Sequence, residues 1–213
     1  MLDIMTLPVT PFAQNCRILV HQETSDAVVV DPGGSGAQIA DLIKSNGYHV
    51  TAILLTHAHI DHVGGVAALL SGLNDPSIKV LGPHRDEAPL FSGLGAQANM
   101  FGLTLSGPVS PEYLGDGEVL KLFSDASFIC LHTPGHSPGG MCYYCKEENF
   151  VIVGDTLFAG SIGRTDLQGG NTAALIDSIK SKLLTLPDNT DVFCGHGPDT
   201  TIGEERATNP YLA

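Results

Sequence analysis

The chain alternates short apolar runs with polar breaks. "CRILVHQ" and "AVVVDPGG" are rich in β-branched residues and separated by the polar "ETSD", which predicts a hairpin or adjacent strands. "DPGG" then interrupts the sheet. From Gly36, "GAQIADLIKSNG" places Ile39, Leu42 and Ile43 at i, i+3 and i+4. Gly47 stands where a helix-ending glycine belongs, so this segment is predicted to be a helix. "VTAILLT" reads as a buried strand, "HVGGVAALLSGL" as one helix despite its glycines, and "IKVLGPH" as a strand. Asp86 to Gly107 has no clean period and reads as short helix plus loop, an irregular segment of the kind that often carries function.

The second half repeats the theme. "GDGEVLKLF" holds a turn and a strand, and "SFICLHTPGH" a strand running into a loop. "MCYYC" and "FVIVGDTLF" are strands around the polar "KEEN". In "NTAALIDSIKSKLLTLP", Leu175, Ile176, Ile179 and Leu183 share a helical face and Pro187 follows its end. "DVFCGHG" is a last short strand, and "EERATNPYLA" a terminal helix or coil. No Ser- or Pro-rich linker, low-complexity tract or repeat divides the chain, so residues 1–213 are expected to form one domain of alternating β and α elements.

Composition narrows the partners. Ten Lys and Arg stand against twenty-three Asp and Glu, a formal net charge of −13. Nucleic acid and anionic membrane are therefore excluded as bulk partners, because both need clustered cations. "MLDIMTLPVTPF" has neither a basic n-region nor a long apolar h-region, so no signal peptide is expected. No stretch approaches the roughly 18 apolar residues of a membrane span. The five cysteines, Cys16, Cys130, Cys142, Cys145 and Cys194, are odd in number and scattered, which fits reduced thiols and a cytoplasmic setting.

The chemistry concentrates in "LLTHAHIDHVGG". His57, His59, Asp61 and His62 fall within six positions, in a chain with nine histidines. Such crowding is costly without something to hold. Three further candidates, His136 in "HTPGHSPGG", Asp155 in "VIVGDTLF" and His196 in "FCGHGP", each follow an apolar run and are flanked by Gly or Pro. Strand ends gather on one rim, so these could converge on the histidine turn. One zinc takes about four ligands, so seven are too many for one ion and suit two sharing a carboxylate. Imidazole and carboxylate without thiolate suit zinc, iron or manganese.

"THAHIDH" with His136, Asp155 and His196 resembles the metallo-β-lactamase-fold hydrolases over nearly the whole chain. "LPVTPFAQNC", "DPGG", "MFGL", "GDTLFAGSIGR" and "GHGP…ERATNP" are most similar to glyoxalase II of the short bacterial type, which lacks a C-terminal helical glutathione-binding domain. The resemblance implies an α/β fold, a four-layer αββα sandwich with metals at the rim of its two sheets. It implies that His57, His59 and His136 bind one metal, that Asp61, His62 and His196 bind the second, and that Asp155 bridges. Asp61 and Asp155 are then the catalytic carboxylates. The implied cofactors are two divalent ions, zinc first, with iron or manganese left open. The implied reaction is hydrolysis of a small thioester such as S-lactoylglutathione by a bridging hydroxide. "GRTDLQGG" also resembles the persulfide dioxygenases of the same superfamily, which use one iron, and this is the alternative reading.

Other features are weighed more plainly. Cys142 and Cys145, three apart in a strand, point to opposite faces and are not expected to chelate together. Cys194 reads as a packed apolar residue, His21 and His49 as structural, His84 as surface, and His132 as a packed strand residue. Arg164 in "SIGRT" is divided evenly between a loop salt bridge and binding of a substrate carboxylate. Phe91, Met100 and Phe101 are candidates for walling a pocket.

Overall fold

The computed structural model describes residues 1–213. It divides into two compact units, Met1–Pro83 with Ala88–Tyr113, and His84–Glu87 with Leu114–Ala213.

In the first unit, β1 (Leu2–Val9) pairs antiparallel with β2 (Gln14–His21) from Leu2↔His21 to Val9↔Gln14. The sequence pattern did not predict β1. It is an edge strand with six of its eight positions half or fully exposed, so it lacks the apolar run that marks its neighbours. β3 (Asp26–Val30) pairs antiparallel with β2, and β4 (His49–Leu54) and β5 (Lys79–His84) follow in parallel. β6 (Glu112–Leu114) closes a six-stranded sheet ordered β1-β2-β3-β4-β5-β6. Parallel strands need crossovers, and α1 (Gly36–Asn46) supplies the one from β3 to β4. As predicted, α1 ends at Gly47, which sits at φ 69°. Ile39 and Ile43 of α1 meet Ile18, Val20, Val29 and Ile53 of the sheet in one core. Burying each such side chain is worth about 1.5–3 kcal/mol.

The single helix expected over "HVGGVAALLSGL" is two. α2 (Ile60–Val63) stops before Gly64, and α3 (Val66–Leu73) starts after Gly65. Backbone hydrogen bonding explains the break. The Gly65 N–H leaves the helical ladder to donate to the Pro32 carbonyl at 2.9 Å, and the Gly64 carbonyl accepts the Ser106 N–H at 2.8 Å. The irregular stretch after Asp86 holds two short helices, α4 (Ala88–Ser92) and α5 (Leu94–Phe101), separated by Gly93.

In the second unit, β7 (Val119–Leu120), β8 (Phe128–His132), β9 (Met141–Cys145) and β10 (Phe150–Gly154) form a meander. β11 (Leu157–Phe158) and β12 (Ser161–Ile162) make a small separate hairpin. β13 (Asp191–Cys194) pairs parallel with β10, and β14 (Thr200–Thr201) completes the order β14-β13-β10-β9-β8-β7. The helix predicted from Asn171 begins as α6 (Thr172–Ser178), capped by the Asn171 side chain, and continues as one π-helical turn over Ile179–Leu183. α7 (Ile202–Thr208) follows β14. Leu175, Ile179 and Leu183 pack on Cys142, Val151, Val153, Val192 and Cys194. Cys142 and Cys194 therefore serve as core residues, as their positions suggested. No helix is long and apolar enough to cross a membrane.

Candidate metal centre

Each candidate ligand lies on a segment that follows a strand. In the first unit, the β4 backbone runs on through Leu55, whose N–H donates to Leu81 O at 2.9 Å, and delivers Thr56 and His57. His59 precedes α2, while Asp61 and His62 lie within it, and all four ligand candidates here are buried.

The carboxylate that organises them was missed as a site residue. Asp31, one residue beyond β3, is buried and holds φ at 49°, a left-handed conformation that Asp tolerates. Its Oδ1 accepts the Thr56 backbone N–H at 2.8 Å, and its Oδ2 accepts the Thr56 hydroxyl at 2.6 Å and His62 Nδ1–H at 2.9 Å. The sequence did carry a signal, because Asp31 follows a buried strand and precedes Gly-rich turn residues as the ligands do. Gly33 lets the two segments meet: a Cβ there would fall 1.3 Å from the Asp61 carbonyl oxygen. Gln97 of α5, which carried no signal, braces the same turn. Its Oε1 accepts the Ile60 N–H at 3.1 Å and its Nε2 donates to Ala58 O at 3.2 Å.

These bonds assign protons. The carboxylate of Asp31 accepts only, so His62 carries its proton on Nδ1 and presents a lone pair at Nε2. That Nε2 lies 3.9 Å from Asp61 Oδ2. The Thr56 hydroxyl hydrogen is committed to Asp31, so its oxygen accepts from His57 Nδ1 at 3.0 Å, which leaves His57 Nε2 as a lone pair. His57 Nε2 and His59 Nδ1 are 3.1 Å apart, with their rings at 82°. Neighbouring ligands on one tetrahedral zinc lie about 3.3–3.4 Å apart.

The second unit repeats the device. His136 sits in the loop after β8 and donates from Nδ1 to the Arg164 carbonyl at 2.8 Å, so its Nε2 is the lone pair. Asp155 follows β10, and His196 follows β13. Nε2 of His136 and Nε2 of His196 each lie 3.6 Å from the same oxygen, Asp155 Oδ2. Glu87, fully buried, accepts the Gly139 N–H at 2.6 Å and so anchors the His136 loop. A metal-binding histidine normally has its other nitrogen tied to a carboxylate, hydroxyl or carbonyl. His57, His62 and His136 all meet that condition, and the donor set fits divalent metal.

Of the two readings of Arg164, the loop salt bridge is present. Its Nε and one terminal nitrogen fork the Asp166 carboxylate at 2.7 Å each, and the hydrogen-bonded guanidinium holds Asp166 down to about 2. Met100 is 76% exposed, Phe101 stacks edge-on to Phe12, and Phe91 edge-on to Tyr113. Phe91 and Phe101 pack against the first core. His21 is buried beside Thr24, and His49 is exposed.

A family model described as the metallo-beta-lactamase superfamily matches residues 9–196. The chain belongs to that superfamily. The expected α/β metallo-β-lactamase fold is shown by solved structures. The BLEG-1 B3 metallo-beta-lactamase superposes with a TM-score of 0.88 at 38% identity, over 99% of this chain and 100% of that one. TTHA1623, solved in a di-iron-bound form, gives 0.86 at 40% identity, over 98% and 100%. The hydroxyacylglutathione hydrolase GloC of Haemophilus influenzae is 38% identical over 99% of this chain and 98% of its own length. As a member of the superfamily, the protein is a metal-dependent hydrolase.

Proposed function

We propose that this metallo-β-lactamase-fold protein hydrolyses thioesters of small acyl groups, with S-lactoylglutathione as the leading substrate. The geometry behind the hydrolase part is the fixing of three imidazole tautomers by Asp31, Thr56 and the Arg164 carbonyl. The substrate class is supported by the likeness to GloC.

In this reading His57, His59 and His136 would hold one divalent ion, Asp61, His62 and His196 would hold the other, and Asp155 would serve both. Bound divalent ions supply Lewis acidity, lowering the pKa of water from 15.7 to about 7 and drawing charge from a carbonyl oxygen. The chain's own residues do the rest. Asp31 fixes the His62 ring, Thr56 the His57 ring, and the Arg164 carbonyl the His136 ring. Asp61 and Asp155 would bring two negative charges against the four positive charges of two divalent ions, leaving a net positive site. No serine or cysteine nucleophile is needed, and all five thiols are buried. The thiolate leaving group, whose acid has a pKa of about 8.5, departs with little protonation. Zinc is the first candidate metal, and the di-iron form of TTHA1623 supports iron as the second. Arg164 is occupied by Asp166, and a substrate carboxylate would have to displace it.

The test combines metal analysis with two assays: thiol release from S-lactoylglutathione, and oxygen consumption on glutathione persulfide. About two metals per chain with thiol release supports the proposal. One iron with oxygen uptake replaces it with the persulfide dioxygenase. Asp155→Ala should lose activity and much of the metal. Full metal content with unchanged turnover removes Asp155 from its shared position.

A further inference from the structure

One other group of metal-binding side chains stands apart from the seven ligands. His84, Asp86 and His132 belong to the second unit and offer ligand atoms within 4.8 Å of one another. The sequence suggested a surface residue and a packed strand residue. The rings of His84 and His132 stack, with centroids 4.0 Å apart and planes at 21°, so one ring would turn out of the stack to bring both lone pairs to a common ion. His84 Nδ1 is 3.3 Å from Asp86 Oδ2, the separation of neighbouring ligands on one tetrahedral ion, about 3.3–3.4 Å.

Proton positions follow from the neighbours here too. His132 Nε2 donates to the Pro138 carbonyl at 3.1 Å, which leaves a lone pair on Nδ1. His84 Nδ1 accepts the Asp86 backbone N–H at 3.3 Å, so its one lone pair is engaged there and an ion would displace that long bond. The nearby cation, Lys182, is neutralised by Asp116 at 2.6 Å, and that same oxygen takes the His132 backbone N–H at 2.9 Å. The Asp86 side chain is 58% exposed, so the outer side faces water. Two imidazoles and one carboxylate select borderline transition metals over calcium or magnesium.

We propose that His84, Asp86 and His132 form a peripheral, solvent-open site for one divalent transition-metal ion of the zinc, nickel or copper kind. It lies on the Arg85–Glu87 turn and the end of β8, which flank the loop carrying His136.

The test is equilibrium dialysis of the whole protein against buffered free Zn²⁺, with metal counted by mass spectrometry. Wild type is compared with His84→Ala, His132→Ala and Asp86→Asn. Wild type should hold one equivalent more than either histidine variant at the same free zinc. Asp86→Asn should bind that equivalent more weakly, by at least the roughly 10- to 100-fold that loss of an outer-shell partner costs. The count is read as a difference, so it stands whatever number of ions the seven-ligand centre holds. Paramagnetic resonance with Cu²⁺ gives a second readout, a two-nitrogen hyperfine pattern lost in either histidine variant. Asp86 is exposed, so its variant retains the fold even if a histidine variant does not. Equal zinc counts in wild type and all three variants overturn the proposal. Loss of the equivalent in only one histidine variant also overturns it.

Discussion

Asp31→Asn is the sharpest probe of how the histidine turn is built. Asn keeps the size of Asp and tolerates φ of 49°, so the backbone is not disturbed. What changes is the acceptor. In the native protein Asp31 accepts three bonds, from Thr56 N, Thr56 Oγ1 and His62 Nδ1. A bond to a charged acceptor contributes about 1.5–3 kcal/mol and a neutral one about 0.5–1.5, so loss of charge costs about 1 kcal/mol per bond. Three bonds give about 3 kcal/mol, which for a chain of this size lowers Tm by roughly 6–12 °C. The amide also has one donor end. Placed at Oδ1 it faces the Thr56 N–H, donor against donor. Placed at Oδ2 it leaves His62 two options: lose the bond, or move its proton to Nε2, the nitrogen that should face metal. Affinity for metal should fall about 10- to 100-fold, as is usual for such outer partners. The assays are thermal unfolding of chelator-treated protein and competition for zinc against a chromophoric chelator. An unchanged melt together with unchanged zinc affinity would refute the account of Asp31 as the organising carboxylate.

Three further outcomes are expected. Gln97→Ala should cost about 1–3 kcal/mol by stranding the Ile60 N–H, visible as a lower Tm, and an unchanged melt would show that Gln97 does not brace the turn. Asn171→Ala removes the cap on Ala174 N and should cost about 1 kcal/mol by urea denaturation, an unshifted midpoint counting against the cap. Burial pushes the thiol of Cys142 up to about 11, while an unfolded thiol ionises near 8.5. The native state therefore binds the extra proton between these values. Its contribution is whole below about pH 8.5 and is lost as pH rises toward 11, by up to about 1.4 kcal/mol per pH unit. Native protein at pH 8 should resist thiol reagents and unfolded protein should not, so rapid native labelling of Cys142 would sink this point.

The strands of both cores were legible because apolar runs such as Val28–Val30 and Phe150–Val153 are buried throughout and bounded by Gly, Pro or polar turns. β1 was not, because an edge strand needs only backbone pairing and tolerates polar side chains. The break in the second helix escaped periodicity because its backbone groups bond to Pro32 and Ser106, both distant along the chain. In the metal centre, the ligand types were legible from spacing. Their proton positions were not, since these depend on Asp31 and the Arg164 carbonyl reaching across the fold. The stacked pair His84 and His132 illustrates the same limit, with each residue unremarkable alone.

Glycine contacts beside the ligands have a consequence for redesign. A Cβ on Gly33 would overlap the carbonyl of Asp61, and one on Gly163 would lie 1.9 Å from the carbonyl of Asp155. Main chain thus rests directly on main chain behind two carboxylates. In a saturation library aimed at new substrates, both positions would register as intolerant although neither side holds a reactive group. Diversity is better placed at exposed side chains such as Met100 and Phe12, where a change of shape displaces no backbone.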